Sequence, residues 1–134
     1  MLITILIFFV ILVVLILSHE FGHFIFAKWN GVKVEEFGIG LPPRLFGVQK
    51  GETVYSINLL PFGGFVKIEG EENKDGLPIG PRSFASKSAG ARAIIIAAGV
   101  LFNLILAFFI FSFGNWWGAP AALGDGERTE DERI

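Results

Sequence analysis

From Met1 to Leu17 the chain carries no charged side chain and a single polar one, Thr4. At 1.5 Å of rise per residue, roughly 20 apolar residues cross the hydrocarbon of a bilayer, and hydrophobic character resumes beyond this run at Phe21, Phe24, Ile25 and Phe26. A secretory leader is the competing reading. It calls for a basic leading region, a shorter apolar core and a small-x-small cleavage site, and this stretch shows none of them. The expectation is a spanning helix, with Lys28 and Trp29 as interfacial anchors and Asn30-Gly31 as its stop.

Within that apolar setting stand the only two histidines of the chain, His19 and His23, with Glu20 between them. Spacing i, i+4 puts both imidazoles on one helix face, where they can serve one metal ion. Glu20 is offset by about 100°. This is the His-Glu-x-x-His pattern of zinc hydrolases, in which the glutamate is the general base toward water. If Trp29 marks the interface, His23 lies about 9 Å and His19 about 15 Å inside it. Ionisable residues at such depth are rare and usually functional; the structural alternative is that all three only snorkel to the interface. Gly22 removes a side chain between the histidines, so that a second helix or a substrate can approach. The chain has no cysteine, which leaves His and carboxylate as the metal donors. A net charge of -2 gives no electrostatic footprint for nucleic acid.

Residues 31–88 are of another character. Gly38, Gly40, Pro42 and Pro43 exclude a helix early, and Gln49-Lys50-Gly51-Glu52 separates two short apolar runs, Leu45 to Val48 and Val54 to Leu60. The pattern is a hairpin, with Tyr55, Ile57 and Leu59 on one face and Ser56 and Asn58 on the other. Pro61 to Gly64 reads as a second turn and Phe65 to Ile68 as a further short strand. These runs are too apolar for a solvated loop and suit a short sheet in or on the membrane. Glu69 to Pro81 reads as a polar connection. Ala93 to Trp117 is the second spanning candidate, interrupted by Asn103, Ser112 and Asn115. Asn103, four residues after Gly99, is either an interhelical hydrogen-bonding group or a holder of substrate backbone or an oxyanion. All but two of the 11 Lys and Arg lie between Lys28 and Arg92, the exceptions being Arg128 and Arg133. The positive-inside rule therefore puts the middle segment, and with it the histidine pair, on the cytoplasmic side.

Three separated stretches resemble the site-2 protease family of intramembrane zinc metalloproteases. They are His19-Glu20-Phe21-Gly22-His23; Phe37 to Pro43 together with Leu59 to Glu71, similar to that family's re-entrant β-loop; and Ala98-Gly99-Val100-Leu101-Phe102-Asn103, similar to its second-helix Gly-x-x-x-Asn motif. The similarity runs from about residue 1 to 118 and is greatest to the bacterial, PDZ-containing branch that cleaves anti-sigma factors. Val100 replaces the family's usual proline. The resemblance implies Zn2+ held by His19 and His23, Glu20 as catalytic base, and substrate contacts at Gly99, Asn103, Tyr55 and Ile57. It also implies a third ligand, an aspartate on a later helix. Asp125 superficially mimics it, but lies across roughly 30 Å of hydrocarbon from the histidines and is rejected.

The fold class expected is a membrane α-helical protein with two transmembrane helices flanking a membrane-associated β-hairpin (re-entrant) segment. Its divisions are 1–30 (first helix), 31–88 (cytoplasmic-side hairpin and loop), 89–118 (second helix) and 119–134 (an acidic tail leading toward a PDZ domain). The expected partners are the lipid bilayer, a transmembrane protein substrate and a C-terminal remainder with the PDZ domain and third ligand; the expected site is a bacterial cytoplasmic membrane, spanned more than once. Two alternatives remain open: a membrane-anchored zinc protease acting on soluble or interfacial protein, and a non-catalytic membrane fragment.

Overall fold

The structure, a computed structural model, describes residues 1–72 and 80–118. The acidic tail with Asp125, and part of the polar connection after Glu69, lie outside the described residues. The elements are α1 (Leu2–Trp29), β1 (Val34–Lys50), β2 (Thr53–Ile68), a 3-10 turn at Phe84–Ser86 and α2 (Ala89–Trp116). Both helices are long and apolar enough to cross a membrane. α1 ends where Asn30-Gly31 predicts: the Asn30 side chain donates to the Phe26 carbonyl at 2.8 Å, and Gly31 turns the chain away with φ 67°. α2 starts at a cap, the Ser88 hydroxyl accepting from the Ala91 N–H.

β1 and β2 form a two-stranded antiparallel sheet. The hairpin turn falls at Gly51-Glu52, inside the expected tetrapeptide. Elsewhere the sheet departs from expectation. Val34 to Leu41, whose glycines exclude a helix and whose end from Phe37 resembles part of a re-entrant β-loop, opens β1 and forms the middle of the sheet. Glu36 to Ile39 has partners in Val54–Ile57 on one side and in Gly64–Lys67 on the other; Val54 to Ile57 also has partners in Phe46–Gln49. Each strand therefore bends back on the other, and Pro61 to Gly64 is a bend within β2, not a turn between two strands.

Polar side chains hold the bends. Asn58 Nδ2 donates to the carbonyls of Ile39 and Gly40, and a Cβ on Gly40 would stand 2.5 Å from the Leu60 carbonyl oxygen, an approach open only to glycine. Thr53 donates to the Val34 carbonyl at 2.8 Å, while Glu36 receives both the Ser56 hydroxyl and the Arg44 guanidinium. Such pairing is what allows polar groups into so apolar a sheet.

The core sits where the four elements converge. Ala27, Val32, Val34, Ile68 and Ile95 are buried there, with Phe24, Phe26, Val66 and Phe84 packed around them. Ion pairs ring this end: Glu52 accepts from Lys28 and Arg82, and Lys33 meets Glu69 at 3.0 Å. The sheet then runs along α1 toward the helix middle, where the Phe62 ring meets Phe9 at 5.6 Å, about 16 Å of helix from Glu20.

Candidate metal centre

The two helices touch through residues too small to hold them apart. A Cβ on Gly22 would run into the Ala98 carbonyl, and one on Gly99 would stand 2.6 Å from the His19 ring. That contact turns the histidine face of α1 toward α2. The rings of His19 and His23 lie 4.7 Å apart, edge to face.

His23 Nδ1 lies 2.8 Å from the Ile95 carbonyl oxygen. A carbonyl only accepts, so Nδ1 carries the proton and Nε2 is left as the lone-pair nitrogen. An imidazole held in this way by its second nitrogen is oriented for a metal. Glu20 is fixed from the other side, by the sheet: its Oε2 accepts from the Val66 N–H at 3.1 Å. His19, Glu20 and Asn103 share a cavity of about 260 Å³ with Leu15 and Ile16. The carboxamide oxygen of Asn103 is buried there with no hydrogen-bond partner among the described residues.

The structure thus brings together His19, Glu20, His23, Gly99 and Asn103. Tyr55 and Ile57 stand apart from them, lining an apolar cavity of about 350 Å³ with Phe21, Phe24, Phe37 and Phe46. Their stretch of β2 has partners in β1 on both sides, so its backbone cannot take an added strand. Substrate contacts there are therefore limited to side chains; among the described residues the stretches with a strand partner on one side only are Arg44–Lys50 and Gly64–Ile68. A further cavity of about 550 Å³ is lined by Val66, Lys67 and Glu71 among others. Glu71 stands at the surface, yet desolvation by the surrounding protein raises its carboxyl above the ordinary range.

Two imidazoles on one face, one with its tautomer set, are a donor set that suits Zn2+. Among the described residues no group of three His, Cys, Asp or Glu is placed to hold a metal.

A sequence model of peptidase family M50 matches residues 7–127. The chain belongs to peptidase family M50. Relatives carrying provisional zinc-metalloprotease names share its sequence closely. One from Clostridium acetobutylicum is 53% identical over 98 residues, covering 73% of this chain and 28% of its own length. Another from Clostridium perfringens is 52% identical over 97 residues, 72% of this chain and 28% of the relative. A third, from Thermotoga maritima, is 39% identical over 106 residues, 78% of this chain and 21% of the relative. The chain therefore spans between a fifth and a third of the length of these M50 relatives.

Two contributors to the site escaped sequence reasoning, the Ile95 carbonyl and the Val66 N–H. Both are backbone groups, which every residue but proline carries in full, so no residue type signals them. Only the placement of the strand and of α2 gives them a role.

Proposed function

We propose that the chain is the histidine-bearing part of a zinc-dependent endopeptidase that cuts its substrate within a membrane-spanning segment. The observation that carries this reading is the His23–Ile95 hydrogen bond, which leaves Nε2 free beside His19, Glu20 and the Asn103 cavity. The surroundings support an intramembrane setting. Leu6, Phe8, Phe108 and Phe111 on the helices and Leu45, Phe46 and Phe62 on the sheet are all exposed, an apolar surface far beyond what a water-soluble monomer carries.

In this reading His19 and His23 would hold the zinc through their imidazole nitrogens, with a third ligand from outside the described residues. The additional length of the relatives is where we place that ligand and a PDZ domain. When bound, Zn2+ supplies a Lewis acid that polarises the scissile carbonyl. Glu20 takes a proton from the attacking water at its carboxylate and returns it to the leaving amine nitrogen. Asn103 offers its carboxamide oxygen, which has no partner among the described residues, to a substrate N–H, holding the substrate beside His19. The cavity with Tyr55 and Ile57 receives apolar substrate side chains. An unwound substrate adds as a strand to the Gly64–Ile68 edge, the one adjoining Glu20. We place the protein in a bacterial cytoplasmic membrane, crossing it more than once, with single-span regulators such as anti-sigma factors as substrates.

The test is Glu20→Gln in the complete protease, reconstituted in lipid with a spanning substrate. Zinc content is expected to be retained while cleavage falls by at least about 10²-fold. Products mapped by mass spectrometry are expected to end inside the apolar segment. Cleavage sustained by the variant, or product ends confined to soluble sequence, would overturn the reading.

A further inference from the structure

The Val66 N–H stands at the meeting point of the base and the sheet edge. Along a strand, the N–H and C=O of one residue point to the same side, and neighbouring residues alternate. Glu69 donates to the Lys33 carbonyl, toward β1. Val66 donates outward, to Glu20. A strand added along Gly64–Ile68 draws on the outward groups, Val66 among them. One N–H makes one strong hydrogen bond, so Glu20 and an incoming strand compete for the same donor.

The remainder of the seam between α1 and this edge is apolar and close. A Cβ on Gly64 would meet the Leu17 side chain at 2.8 Å, and one on Gly63 the Ile16 side chain at 3.3 Å. Ile16 and Glu20 also line the cavity that holds His19 and Asn103. A strand entering at the edge must therefore part this seam, and what it parts is attached to the site.

We infer that Glu20 caps the sheet edge at Val66 until a substrate strand replaces it, so that seating of the substrate and release of the base are a single exchange. The inference rests on the edge-strand reading given above. While Glu20 caps the edge, its Oε2 is occupied by the Val66 N–H; when the substrate's carbonyl takes over that N–H, Oε2 is released to accept from water. The device couples access of water to the base to the presence of a bond to cut. It also covers an edge N–H that would otherwise invite unwanted pairing.

The test reads binding, in two variants that both lack the base. Glu20→Gln keeps a side-chain acceptor for Val66, and Glu20→Ala removes it; both remove the charge. The probe is a fluorophore-labelled Leu/Ala spanning peptide with a central Gly-Ser-Gly interruption, titrated against the protein in lipid nanodiscs. A second probe carries N-methyl groups on alternate residues through that interruption, which blocks strand pairing. Glu20→Ala is expected to bind the plain peptide about five-fold more tightly than Glu20→Gln, and the gap is expected to close with the methylated peptide. Equal affinities in the two variants, with methylation still weakening both, overturn the exchange and leave the edge-strand reading standing. Methylation without effect in either variant removes the edge-strand reading and this inference with it. Hydrogen exchange across β2 establishes that both variants keep the sheet.

Discussion

Between Ser18 and Trp29, α1 buries Gly22 and Ala27 and keeps its other residues at least partly covered, apart from Phe21 and Trp29; between Leu2 and Phe9 every residue of the same helix is exposed. α2 repeats the contrast, burying Ile95, Ala98 and Gly99 near its start and exposing Phe108, Ile110, Phe111 and Phe113 toward its end. Both ends of both helices are apolar, so hydropathy does not explain which end is packed. Residue size does. Where Gly22 meets Ala98 and Gly99, the backbones come close enough for the His23 imidazole to reach a carbonyl of the other helix. At the far ends, large side chains keep their surface for whatever surrounds the protein. In hydrocarbon that is the expected division, since small residues govern helix contact there and apolarity alone gives no preference.

The strongest way to break this contrast is to enlarge the contact. Gly22→Val puts branched carbons against the Ala98 carbonyl and within 3.1 Å of the Gly99 Cα, and backbone atoms cannot swing aside as a side chain would. The helices must part, with a loss of about 3 kcal/mol or more of stability. The His23–Ile95 bond spans the same contact and is lost with it. Zinc affinity is expected to fall by at least about ten-fold, as for loss of any group that orients a metal ligand. Thermal unfolding in detergent and metal analysis after dialysis check the two effects. A variant with wild-type zinc content would show that the glycine contact does not position the histidines.

The same distinction separates what was legible in the sequence from what was not. His19, Glu20 and His23 announce themselves because their chemistry is in their side chains and their spacing is helical. Gly22, Gly99 and Asn103 were legible as small and polar exceptions in apolar runs, and the structure gathers Gly99 and Asn103 around His19. The first arm of β1 was legible only through its resemblance to a re-entrant β-loop, not from its residue types. Gly38, Gly40, Pro42 and Pro43 have poor strand propensity, and only the tertiary pairing of Glu36–Ile39 with two parts of β2 makes a strand of that arm. Alternation correctly marked Tyr55 and Ile57 as strand residues. It carries no information on which side of a strand is free, and that stretch proved to be flanked on both sides.

A smaller effect is expected at the polar rim of the packed end. Glu52 sits in the hairpin turn and joins it to α1 through Lys28 and to the connection before α2 through Arg82. The hydrogen bond from Arg82 is the main cause, and that from Lys28 the second, of a Glu52 carboxyl lowered from its ordinary 4.5 to about 2. The folded protein thus binds this proton less readily than the unfolded chain does. The stabilisation is complete above about pH 4.5 and drains away as pH falls toward 2. Glu52→Gln should lower the unfolding midpoint modestly at pH 7 and flatten its dependence between those limits, since the groups are solvent-screened. Unfolding curves for the two proteins that stay parallel through the acid range would show that the three-way pair contributes nothing to the packed end.

The smallest effect is expected at the open end, and its smallness is the point. Ile95 and Ile110 lie on the same helix, the first 1% exposed and the second 57%. Truncating Ile110 to alanine removes side-chain surface that is mostly exposed, so stability should change by less than about 0.5 kcal/mol, and zinc binding not at all. The comparison is sharper for being made within one residue type, because intrinsic helix propensity favours alanine equally at both positions. If Ile110→Ala instead costs as much as a core truncation, about 2 kcal/mol or more, then the open ends are not open in the folded protein. The exposed faces of α1 and α2 would then belong to an interface with further protein, and the contrast between the two ends would be one of partner, not of packing.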